Sequence, residues 1–187
     1  MLAAGLVDRL AGLPGTPRVL LDGVGGHPLA DDLVDGLTAE GRTPVRICAR
    51  DFWRPAGERL QHGREDVEAF RDSWLDVGAL RREVLAADGT VLTALWDVDR
   101  DRSARQPRRP LPPRAVLLVD GCFLLGLSLP AEFVVHVTLS GAALLRRGIP
   151  PWQLPAFASY DELAQPSLAC DVLVRAEDPL RPAVRWP

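Results

Sequence analysis

Apolar positions along the chain switch between the spacing of helices and that of strands. Leu2, Leu6, Leu10 and Leu13 recur at helical intervals and predict a helix over 3–13, ended by Pro14-Gly15. Arg18 to Leu21 reads as a buried strand, followed by a turn holding Gly23, Gly25 and Gly26. A helix opens near Pro28 and runs from about Leu29 to Glu40, with Leu29, Leu33 and Leu37 on one face and Gly41 as its stop. A second strand is expected over 44–48, then helices over 65–73 and 77–87, the latter turning Leu80, Val84 and Leu85 inward. Asp88-Gly89 turns the chain into a strand over 90–96. Ala115 to Val119 is continuously apolar, the pattern of a central parallel strand covered on both faces. Another strand over 133–139, a helix over 141–147, a helical turn over 160–163 and a last strand over 171–174 complete the reading. The predicted fold is α/β, a doubly wound and mainly parallel sheet with helices on both faces, as one domain over 1–187. In such sheets ligands bind beyond the carboxyl ends of the strands, where Asp22-Gly23 and Asp120-Gly121 both fall.

The stretch 99–113, DRDRSARQPRRPLPP, breaks the alternation. It is charged and proline-rich, with almost no large apolar residue, and is expected to be a mobile loop.

Composition adds constraints. A length of 187 residues, 47% hydrophobic and 25% charged, suits a globular domain with a sizeable core. The net charge of −3 speaks against general nucleic-acid binding. No run approaches the ~18–20 apolar residues of a membrane span, and the N-terminal stretch lacks the basic start and long apolar core of a signal peptide. A cytoplasmic location without membrane or nucleic-acid partners is the expectation. All 22 basic residues are arginine. Cys48, Cys122 and Cys170 are far apart, and His27, His62 and His136 show no ligand spacing with them, so buried thiols in or near strands are expected rather than metal ligands or disulfides.

Strand, glycine turn and helix start form the arrangement by which a P-loop cradles phosphate: glycines turn backbone N–H groups toward an anion and the helix dipole favours its charge. Measured against G-x-x-x-x-G-K-[ST] from Gly23, however, Pro28, Leu29 and Ala30 stand at the Gly, Lys and Ser/Thr positions. Gly25 and Gly26 can still form a short anion nest with His27 beside it, or simply a tight turn.

Four stretches in order, DG followed by the glycine turn and LADDL, then RDFWRP, GREDVEAFRDSWLDVGALRREVL and LLVDGCFLL, resemble the uridine kinase family. The tail DVLVRAEDPLRP is similar to that family's last strand. The resemblance spans Arg18 to Pro182. It implies a P-loop kinase-like fold and transfer of a phosphoryl group from ATP, with magnesium, to the 5′-hydroxyl of uridine or cytidine. It also implies roles for individual residues. Asp51 lies nearest the family's acidic base, although Phe52 aligns so that Arg50 takes the base position itself. Asp76 matches a ligand of the ribose hydroxyls, and is equally suited to cap the helix after it. Trp96-Asp97 stands where the family has Tyr-Asp against the base; a core role suits Trp96 as well. Asp120 corresponds to the acidic residue that orients magnesium. Arg146 and Arg147 remain from an arginine-bearing lid that Gly148-Ile149-Pro150-Pro151 cuts short.

The missing lysine and hydroxyl, the displaced base and the truncated lid all weaken the same reaction. Three functions follow as expectations: a residual nucleoside kinase, a nucleoside- or nucleotide-binding module without catalysis, and a scaffold for a protein partner or a second copy. Phe52, Trp53 and Trp152, with the look of exposed aromatics, are the hint of the last, and core packing explains them equally well.

Overall fold

Five parallel strands and one antiparallel edge strand make the central sheet of this computed structural model, which describes residues 2–178 and 181–186. Pro179 and Leu180, inside the tail motif, lie outside the described residues. In chain order the first half comprises α1 (Leu2–Ala11), β1 (Arg18–Asp22), α2 (Gly26–Ala39), β2 (Thr43–Cys48), a 3-10 turn (Ala49–Phe52), α3 (Ala56–Arg59), α4 (Val67–Asp72) and α5 (Val77–Leu80), which continues as a π turn over Arg81–Leu85. Four two-residue strands follow: β3 (Thr90–Val91), β4 (Trp96–Asp97), β5 (Arg102–Ser103) and β6 (Arg109–Pro110). The second half comprises β7 (Ala115–Gly121), β8 (Phe133–Thr138), α6 (Gly141–Arg146), a 3-10 turn (Pro151–Gln153), α7 (Leu154–Ala164), α8 (Pro166–Ala169), β9 (Val172–Arg175) and β10 (Ala183–Arg185).

The sheet order is β10-β9-β8-β1-β7-β2. After β1 the chain passes over β7 to reach β2, and after β7 it passes back over β1 to reach β8. The loops leaving β1 and β7 therefore diverge, and a crevice opens beyond their carboxyl ends. Side-chain alternation divides the core in two. Val19 and Leu21 point with Val116, Leu118, Val135 and Val137 toward α1 and α2, where Leu6, Leu10, Leu33 and Leu37 are fully buried. Leu20, Leu117 and Val119 point the other way, onto Ile47, Phe52, Leu80 and Leu85. Each fully buried leucine adds about 1.5–3 kcal/mol by leaving water.

Several sequence expectations need correction. Helix α2 begins at Gly26, not at Pro28–Leu29, because Pro28 falls in the first turn, where no backbone N–H is needed for the helix. The strand expected over 90–96 is two fragments outside the main sheet. Trp96 pairs with Ser103 and Ala104 N–H donates to the Leu95 carbonyl, so a local hairpin replaces a longer strand. The stretch 99–113, expected as a mobile loop, thus contributes β5 and β6 to these small ladders. The turn expected over 160–163 is the end of α7, whose Pro155 sits at a helix start that tolerates it. The strand over 171–174 is not the last, since β10 pairs antiparallel with it. Phe52 is wholly buried, and Trp53 and Trp152 are half-buried among aromatic neighbours, so packing is their observed role.

Candidate functional site

Three strand ends converge on the crevice. At the end of β1, Gly23 takes φ +102 and Gly25 φ +114, a left-handed pair that turns the chain directly into α2. A side chain on Gly23 would run into the Val137 carbonyl of β8. Gly23→Ala is accordingly expected to lower stability by about 1–3 kcal/mol, read from the midpoint of chemical denaturation. Gly26 is packed against the Leu21 carbonyl, with 2.5 Å left for a Cβ, and is buried; the turn is thus pressed tightly onto the sheet.

Behind the turn lies a buried carboxylate. Asp22 is wholly buried, and its Oδ1 accepts the Leu124 N–H at 2.8 Å. Its Oδ2 accepts the Tyr160 hydroxyl at 2.9 Å and lies 2.7 Å from His136 Nδ1. Burial, with Asp22 adjacent, pushes the Tyr160 phenol far up, so it stays a donor. This network joins β1, β8, α7 and the loop after β7 into one rigid floor.

In front of the turn the polar groups gather on Arg46 of β2. Its Nε donates to Asp120 Oδ1 at 3.0 Å, its Nη1 to Asp31, and its Nη2 to His27 Nδ1 at 2.6 Å and to the His27 carbonyl at 3.1 Å. Asp120, at the end of β7, is 2% exposed, and its Oδ2 lies 3.1 Å from His27 Nδ1. Nothing in the sequence marks Arg46, which sits mid-strand between apolar residues. Only the parallel register of β2 on β7 brings it beside Asp120.

Between these groups is a cavity of about 390 Å³. Gly23, Gly25, His27, Arg50 and Asp120 lie on its polar side, and Trp53, Phe70, Phe123 and Phe157 form its apolar wall. The wall belongs to an aromatic cluster in which Phe70 meets Trp74 edge-on at 4.9 Å and Phe123 meets Phe157 at 4.9 Å. These aromatics are dispersed over the segment after the first 3-10 turn, α4 and the residues just after it, the loop after β7 and α7, so spacing alone could not assemble them.

The other sequence-predicted residues separate from this cavity. Asp51, Trp96 and Asp97 line a second, polar recess of about 550 Å³ with Arg100, Arg102 and Arg105. Burial raises the Asp51 carboxyl above its ordinary value. Trp96 Nε1 donates to Asp101 at 3.0 Å. Asp76 caps α5 by accepting the Ala79 N–H at 2.8 Å and lines neither space. Arg146 is exposed and reaches Glu177 at 3.9 Å. Arg147 donates to the Ala176 carbonyl at 2.8 Å and lies against Gly25.

Arg50, on the polar side of the aromatic-walled cavity, grips Asp99 with two hydrogen bonds of 2.6 and 3.1 Å. That grip holds the Asp99 carboxyl below its ordinary 3.8. A carboxylate with a lowered folded-state pKa contributes stability that is present above 3.8 and is lost as pH falls through its folded value. The Asp99 side-chain carbonyl signal in NMR is expected to titrate below 3.8, and to move up in Arg50→Ala.

No protein-family model matches the chain, and no curated protein sequence matches it. Solved structures do. A possible uridine kinase from Bacillus stearothermophilus superposes with a TM-score of 0.76 at 18% identity, covering 91% of this chain and 96% of that one. A candidate fructose transport system kinase from a Silicibacter species gives a TM-score of 0.60, also at 18% identity, covering 89% of this chain and 91% of the other. With five parallel strands in the same architecture and the glycine turn at the end of β1, the chain has the P-loop kinase-like α/β fold.

Proposed function

We propose that this protein binds a pyrimidine nucleoside such as uridine or cytidine in the 390 Å³ cavity, without ATP-dependent phosphoryl transfer. The observation that carries the reading is the pairing of a fixed internal cation with an aromatic-walled cavity. The fold implies ATP and magnesium, and the residues present do not fit them. Magnesium takes close to six oxygen ligands; here Asp120 gives one oxygen to Arg46, and Leu29 and Ala30 offer no hydroxyl. The phosphates of ATP would meet neither a lysine nor a complete loop. A planar base, by contrast, suits the Phe123–Phe157 wall, and the polar side offers Arg50, His27 and Asp120 for ribose hydroxyls.

Calorimetric titration of the full chain with uridine and cytidine tests this. Phe157→Ala is expected to weaken binding by about 1–3 kcal/mol, the worth of one stacking face, and ATP with magnesium to give no heat of binding. If binding survives Phe157→Ala but vanishes in Asp76→Ala or Trp96→Ala, the nucleoside sits instead at the positions implied by resemblance. Absence of any nucleoside heat overturns the reading.

A further inference from the structure

His27 and Cys48 show no ligand spacing in the sequence, and Asp120 is linked to a metal only by resemblance, yet the fold brings the three together. A ring nitrogen of His27, the Cys48 sulfur and an Asp120 oxygen lie within 4.8 Å of one another, the one such cluster among the described residues. They come from three separate elements: His27 from the first turn of α2, and Cys48 and Asp120 from paired positions at the ends of β2 and β7. All three line the aromatic cavity.

We propose that this triad binds a divalent transition-metal ion of the zinc class at the mouth of the cavity. A nitrogen, a sulfur and an oxygen are the donor set of such ions, and not of magnesium or calcium. Ligand arms of about 2.0–2.3 Å in a tetrahedron separate the donors by about 3.3–3.8 Å. The cluster therefore closes on an ion by side-chain rotation without moving the sheet. Arg46 engages Asp120 through Oδ1, so Oδ2, which faces His27 Nδ1 at 3.1 Å, is the oxygen an ion between the two side chains would take. His27 has one ring nitrogen on Arg46 and a second in reserve; the imidazole is exposed enough to turn.

Charge also balances. Asp31, Asp120 and a Cys48 thiolate carry three negative charges, matched by Arg46 and a divalent ion. A metal-free site holds a thiol instead, and binding releases its proton to solvent. Three protein ligands leave a fourth position, and it opens into the cavity, as in sites where a metal meets a small molecule. The inference rests on the donor cluster and not on the nucleoside reading, but shares His27 and Asp120 with it: with an ion bound, its open position and Arg50 would face the ribose in their place.

The test uses the full chain stripped with chelator and titrated with cobalt(II), a spectroscopic stand-in for zinc. One equivalent is expected to give the visible bands of tetrahedral cobalt and a sulfur-to-cobalt charge-transfer band, both abolished by zinc and untouched by magnesium. Cys48→Ser should remove the charge-transfer band and weaken zinc binding about tenfold or more, whereas Cys170→Ser should change neither. His27→Ala, at an exposed helix start, keeps the test open should the cysteine variant fold poorly; it too should weaken cobalt binding about tenfold. A charge-transfer band that persists in Cys48→Ser, unchanged affinity in His27→Ala, or no stoichiometric uptake by the parent chain overturns the assignment.

Discussion

Arg46→Ala is expected to cost about 3 kcal/mol of folding stability, a large share of the ~5–15 kcal/mol available to a domain of this kind. The reason is Asp120. It is 2% exposed, and Arg46 is the cation that donates to it. Removing one partner of a buried pair strands the other charge, at about 3–5 kcal/mol in general. The lower end applies here because the neighbouring cavity admits water to the carboxylate. Arg46 also ties Asp31 and the His27 carbonyl, so its loss should loosen the first turn of α2. Urea unfolding followed by circular dichroism would measure the effect, and amide exchange would show faster opening over 26–31. Arg46→Met combined with Asp120→Asn should recover most of the loss, since no charge is then stranded. A single-variant cost under about 1 kcal/mol would mean that solvent, rather than Arg46, neutralises Asp120.

Asp22→Ala should be at least as damaging, at about 4 kcal/mol. Asp22 is fully buried and serves three donors: the Leu124 N–H, the Tyr160 hydroxyl and the His136 ring. Each buried donor left without an acceptor costs about 1–3 kcal/mol, less where a water can enter the vacated space. The floor of the glycine turn would go with it, because the same carboxylate links β1 to β8 and α7. Asp22→Asn keeps the shape and one acceptor, and should cost about half as much. Both variants would be read by denaturant unfolding, with the near-ultraviolet signal of the Phe123–Phe157–Tyr160 group as a local reporter. If Asp22→Ala lost no more than Asp22→Asn, the network would be incidental to stability.

The difference between what spacing reveals and what folding decides is clear at the site. Gly23, Gly25, Asp22 and Asp120 were recognisable because each lies next to a strand whose apolar run announces it. A local pattern tells where such a strand ends. Arg46, Cys48, Phe70 and Phe157 carried no such mark. Their importance comes from neighbours dozens of residues away, brought close by register and helix packing. Residues grouped by resemblance, Asp51 and Asp76 with Gly23 and Asp120, come apart in space: Asp51 faces the polar recess and Asp76 turns to its own helix.

The sequence by itself determined the α/β alternation, the sheet's apolar strands, the helix faces and the absence of a phosphate-loop lysine. All of these follow from hydrophobic period and residue identity over short windows. Only the tertiary structure decided that an arginine of β2 neutralises Asp120, that His27 and Cys48 meet it, and that aromatics from separate helices wall one cavity. Those contacts join residues far apart in the chain, and parallel strand pairing fixes which side chains face one another only once the whole sheet has formed.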